Sequence, residues 1–190
     1  MLDSTRKVPV VEDYASYAPP AWVKPTIERL LGSLSDGHVG GLGAIVLSDA
    51  ARATKRKMRT ARRNRHGIFI GRYHYAWKQD RAWIEVVVDL ALDRVPSRYF
   101  DLQFVRDFAL GIVLFHEIGH HLHYTIGSAQ RGGESSAHDC EVRLALVHFR
   151  KHFRHQRSLR EQIRWILGVI ARRDKYLISR RSAGLGSRRK

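Results

Sequence analysis

A chain of 190 residues is long enough for one compact domain with a tail, and a hydrophobic share of 44% suits a globular protein, not a disordered one. The single cysteine, Cys140, excludes an intramolecular disulfide and a Cys-rich zinc ribbon and fits a reducing compartment. With 34 Lys and Arg against 18 Asp and Glu the net charge is +16, a field that draws polyanions, acidic proteins or anionic membrane surfaces without choosing among them.

Residues 1–20 read as an irregular arm closing on Pro19-Pro20. Its start, Met1 to Lys7, lacks the apolar stretch of a signal peptide. No apolar run approaches the 18 residues or so of a membrane span, so a cytoplasmic location is expected. Pro25 suits a first helical turn, and Ile27, Leu30, Leu31 and Leu34 follow at helical spacing. Gly37 to Gly43 is a glycine-rich turn, and with no Gly-Lys-Ser/Thr after it this is not a phosphate loop. Ala44 to Leu47 reads as a short strand. The basic stretch 50–65 is either helical or loose.

Strand character returns from His66 to Tyr75 and again from Ala82 to Leu90, where β-branched and aromatic residues are dense. With Lys78-Gln79-Asp80-Arg81 as the turn, the two make an antiparallel hairpin. Asp101 then suits the N-cap of a helix over roughly 102–125. Phe104, Phe108, Gly111, Phe115, Ile118 and Leu122 form one apolar stripe and Val105, Ala109 and Ile112 a second, which marks a central, buried helix. Gly127 to Gly133 ends it. Further helices are expected from Glu134 to about Arg154 and from about Leu159 to Ile178. The expected organisation is therefore an arm (1–20), one domain (21–179) and a basic tail (180–190), in the α+β class.

Basic residues concentrate in 52–65 and in 150–190. Both segments suit a solvated face or contact with nucleic acid. Neither has the interleaved aromatics of a base-stacking platform.

The chemistry centres on His116-Glu117-Ile118-Gly119-His120. Four residues apart on a helix, His116 and His120 project from one face and present two imidazoles to one ion. Glu117, turned by about 100°, sits beside a metal-bound water and not on the metal. Zinc in such a site acidifies its water and polarises a carbonyl, and the glutamate takes the water's proton and returns it to the leaving amine. His121 faces away from this pair. His123 shares its face but lies about 10.5 Å along the axis from His116, too far for both to bind one ion. A third ligand has to come from the next helix, where Glu134, His138 and Glu141 are the candidates. Those that do not bind the ion suit hydrogen bonds to the ligating histidines, and Asp139 could serve likewise. Ala137, three residues after Glu134, would let two helices approach closely. Cys140 reads as a small packing residue and not as a nucleophile.

A strand, a hairpin, a His-Glu-Ile-Gly-His helix and a helix opening Glu134-Ser135-Ser136-Ala137 together resemble the zincin metallopeptidases, most closely the ImmA/IrrE group, over residues 66–150. The resemblance implies a zincin-like fold, with a small mixed or antiparallel sheet and an edge hairpin packed on the central helix. It implies zinc bound by His116, His120 and Glu134, with Glu117 as general base. It also implies a protein substrate, possible partners among DNA-binding regulators, and backbone binding along an edge strand, for which Ala82 to Asp89 is the candidate. His138 stands where that group's pattern has asparagine. SprT-like proteases are a more distant resemblance, carried by the basic tail but lacking their zinc ribbon. The expected function is an intracellular zinc metallopeptidase; the alternative is a basic nucleic-acid-binding or regulatory protein with a structural or vestigial metal site.

Overall fold

A computed structural model describes residues 8–60, 69–78, 80–125 and 133–153, with the side chains of 56–60 and 133–136 outside the description. Within it four strands form one sheet: β1 (Val10–Asp13), β2 (Leu42–Ser48), β3 (Gly71–His74) and β4 (Ala82–Val87). The helices are α1 (Val23–Leu31), α2 (Asp36–Val39), α3 (Ala50–Thr60), α4 (Val88–Asp93), α5 (Gln103–Thr125) and α6 (Gly133–Phe153). The class is α+β, as expected.

The sheet is mixed, in the order β1-β2-β4-β3. β2 pairs in parallel with both β1 and β4, and β3 closes an antiparallel hairpin on β4 with Tyr73 opposite Ile84. The hairpin turn places Lys78 at φ 54 and pairs Trp77 with Asp80. Among the described residues β4 is therefore an interior strand, and β3 is the edge on this side. That corrects the expectation that Ala82 to Asp89 is the exposed edge. Runs such as Val86-Val87-Val88 satisfy a strand buried on both faces, and nothing in them marks which strands flank it. The strand also ends sooner than expected, since the chain turns into α4 at Val88. In the arm expected to be irregular, Val10 to Asp13 adds the outer strand β1.

α5 is the pillar of the molecule. Of its 23 residues 14 are buried, which its two apolar stripes require. It packs on β3 and β4, and α1, α4 and α6 pack on it. α6 runs back antiparallel to it: Phe104 and Phe108 meet Phe149 at one end, and Gly119 meets Ala137 at the other. A buried carboxylate ties three helices near the first end, where Asp107 accepts hydrogen bonds from Arg29 of α1 and from His148 Nε2 of α6 (2.9 Å). Asp107 and His148 are fully buried, so each needs the other to offset its desolvation.

A second carboxylate tethers the sheet's outer strand. Asp49 is buried and accepts the backbone N–H groups of Ala15, Ser16 and Tyr17 while capping α3 through the N–H of Arg52. Arg52 also pairs with Asp13 of β1 at 2.6 Å, so this member of the basic segment is engaged in the fold. The expected helix 159–178, the basic tail 180–190 and the rest of the segment 154–190 lie outside the described residues, as does 61–68.

Candidate metal centre

His116 and His120 occupy successive turns of α5, with ring centroids 4.8 Å apart and planes at 84°. Glu141 of α6 reaches across, its Oε2 lying 3.1 Å from His116 Nδ1 and 3.1 Å from His138 Nδ1. A carboxylate only accepts, so each Nδ1 carries the proton in this arrangement. The Nε2 lone pair is left to bind a metal. The ligand atoms of His116, His138 and Glu141 all lie within 4.8 Å of one another. Exposure separates them: His138 is 65% exposed and stands at the rim, against 22% for His116 and 17% for Glu141. Imidazole nitrogens with a carboxylate are a donor set that zinc takes, so the residues fit the ion.

Two glycines set the site's dimensions. At Gly119 an added Cβ would stand 2.6 Å from the Ala137 carbonyl oxygen and 2.8 Å from its Cα, so α5 and α6 touch backbone to backbone. This close crossing brings Glu141 to His116. At Gly71 a Cβ would stand 2.7 Å from Glu117 Oε1 and 2.7 Å from Val113. The Glu117 carboxylate thus lies directly over β3, buried, on a different side of α5 from the crossing, as its position one residue after His116 requires.

β3 and α5 run alongside in the same direction. Gly71 meets Glu117, Tyr73 meets His121, and Tyr75 meets Tyr124. His121 fastens this alignment. Its Nε2 donates to the Gly40 carbonyl at 2.8 Å, which leaves Nδ1 to accept from the Tyr73 hydroxyl at 3.2 Å. The expectation that His121 turns from the metal pair into packing holds. His123 is likewise outside the cluster and lines a cleft of about 520 Å³ with Gly119, Leu122, Cys140 and Arg143. Cys140 is half-buried, and that burial pushes its thiol pKa up, against the opposing charge of Arg143.

Of the residues singled out by sequence, His116, His138 and Glu141 are gathered at one place, with His120 edge-on to His116 and outside the cluster, and with Glu117 turned toward β3. Glu134 lies in the first turn of α6, and its side chain falls outside the described residues. Gly71, Tyr73 and Tyr75 were not anticipated. Their signal was present as a glycine inside a strand, which marks a close approach, followed by residues on the same face at a period of two. No protein-family model, curated protein or solved structure matches this chain.

Proposed function

We propose that the chain is a zinc-dependent hydrolase cleaving peptide bonds of a protein substrate, with Glu117 as general base. One observation carries this reading. The Glu117 carboxylate is buried against strand β3, one residue along α5 from His116, which Glu141 holds and His120 meets edge-on. A buried carboxylate on the same helix turn as a metal-type cluster, facing a strand, suits general-base attack on a backbone carbonyl.

In this reading His116, His120 and Glu134 hold the ion. Glu141 acts on His116 from behind, turning its Nε2 forward. Seven residues before Glu141, Glu134 has nearly the same angular position on α6. Zinc bound there would supply charge that acidifies a water and polarises the scissile carbonyl. The protein's own residues do the rest. β3 offers backbone groups to an extended substrate, and Glu117 accepts a proton from the attacking water and returns it to the departing amine nitrogen.

The deciding experiment measures zinc content and proteolysis together. Wild type should hold one zinc per chain, lost in His116→Ala. Glu117→Gln should retain the zinc and lose hydrolysis. A Glu117→Gln variant cleaving at the wild-type rate would sink the proposal. A protein that binds DNA or RNA in a strongly salt-dependent way, indifferent to chelation, would favour the alternative role.

A further inference from the structure

The cleft of about 520 Å³ between α5, α6 and residues 33–38 has no part in the hydrolytic reading. Gly119 lines it, and two residues beyond Glu117 a helix has turned by about 200°. The cleft therefore opens on the side of α5 away from the Glu117 carboxylate and β3. Most of its lining is apolar. Leu144 is the deeply buried member at 5% exposure, Leu34 and Leu122 are half-buried, and Val147, 57% exposed, stands at the mouth.

The charge in this lining has one sign. Arg143 belongs to it, with His38 and His123, and none of the lining residues is acidic. Arg143 Nε donates to the Asp139 carbonyl at 3.3 Å, which orients the guanidinium and leaves its terminal nitrogens to address a ligand. His123 Nδ1 is buried without a hydrogen-bond partner among the described residues. A buried nitrogen of that kind costs free energy until a partner reaches it. An apolar cleft of several hundred Å³ with a few convergent polar groups has the form of a small-molecule site.

We propose that this cleft binds a small monocarboxylate with an apolar chain, a medium-chain fatty acid in type. Its carboxylate is taken by Arg143 and His123, and its chain lies along Leu122, Leu144 and Val147. The planar guanidinium matches the two oxygens of a carboxylate, and a single guanidinium matches a single negative charge. The apolar walls take the chain, where each methylene removed from water strengthens binding about threefold to fourfold. This inference is independent of the hydrolytic reading and survives its failure.

The test is calorimetric titration of the full-length protein with decanoate, hexanoate and 1-decanol. Decanoate should bind at one saturable site, about a hundredfold tighter than hexanoate and at least about tenfold tighter than the alcohol. Arg143→Gln should weaken decanoate about tenfold or more and leave 1-decanol unchanged. Val147→Glu, an exposed position, should weaken decanoate while the melting temperature stays at the wild-type value. Cys140 lines the same cleft and is the single cysteine of the chain, so its alkylation by iodoacetamide reads occupancy directly. Decanoate should slow that reaction and acetate should not. Absence of saturable decanoate binding would overturn the proposal. So would equal affinity for hexanoate and decanoate, since the general attraction of a basic protein for anions explains it. Equal affinity for 1-decanol, or wild-type decanoate affinity in Arg143→Gln, would also overturn it, because an apolar groove alone then accounts for binding.

Discussion

Gly119 and Gly71 act through the atoms they lack. A methyl at Gly119 would press on the main chain of α6, which has no rotamer to escape into. Gly119→Ala should cost about 1–3 kcal/mol in urea unfolding and lower zinc retention by spreading the ligand helices. At Gly71 the nearest atom is the end of the Glu117 side chain, which can swing away. Gly71→Ala should therefore leave zinc stoichiometric while hydrolysis falls on the order of a hundredfold, and an unchanged rate would rule out its role in placing the base. Glu141→Gln should weaken zinc binding about 10–100-fold by releasing His116, whereas Glu134→Ala should abolish it. Reversed outcomes would make Glu141 the ligand and Glu134 the accessory. The motif residues and the small Ala137 were legible in the sequence because they interact at helical spacing or mark a close helix contact. Gly71 and Tyr75 were not, because their partners lie more than 40 residues away on another element.

Among the elements, the long helices were legible and the sheet order was not. α5 and α6 begin and end within about two residues of expectation, since their apolar periodicity persists over five or more turns. β1 has four residues, Val10-Val11-Glu12-Asp13, too few for alternation to show, and it becomes a strand through pairing with β2. Asp49 sustains that pairing. Burial pushes its carboxyl pKa upward, but the N–H groups of Ser16, Arg52, Tyr17 and Ala15 outweigh this and hold it well below the ordinary carboxylate value. A depressed folded-state pKa adds stability that is fully present above the unfolded value of about 3.9 and is lost as pH falls below it. In urea titrations Asp49→Asn should thus be less stable than wild type at pH 7, with the gap narrowing below about pH 4. A gap independent of pH would remove Asp49 as its cause.

For the whole molecule, the charge of +16 is the property least explained by the described fold. Arg52 is committed to Asp13 and Arg29 to Asp107, while most of the C-terminal basic segment lies outside the described residues. The proposed metal would join α5 to α6 and so couple binding to global stability. Zinc at about 100 times its dissociation constant should raise the melting temperature on the order of 5–10 °C, corresponding to about 2.7 kcal/mol. His116→Ala should show no such rise. The α+β class and a single helical pillar could be read from composition and periodicity, because burial of α5 on several sides leaves a mark in its own sequence. The order of the strands under that pillar, with β3 outside β4, is a tertiary choice without a local mark.

The antiparallel pair α5 and α6 is fastened at two places about 18 Å apart along α5, at Asp107 with His148 and at Gly119 with Ala137. Only the second lies at the metal end. The pair has the mechanics of a clothes-peg whose pivot is the buried Asp107–His148 contact and whose jaws would close on the proposed zinc. Emptying the jaws leaves the pivot intact. Amide exchange in the metal-free protein should therefore be graded along α6, fastest around Ala137 to Glu141 and slowest around His148. The jaw spacing, and with it the choice of ion, would be tuned from the pivot end by residues that never touch the metal.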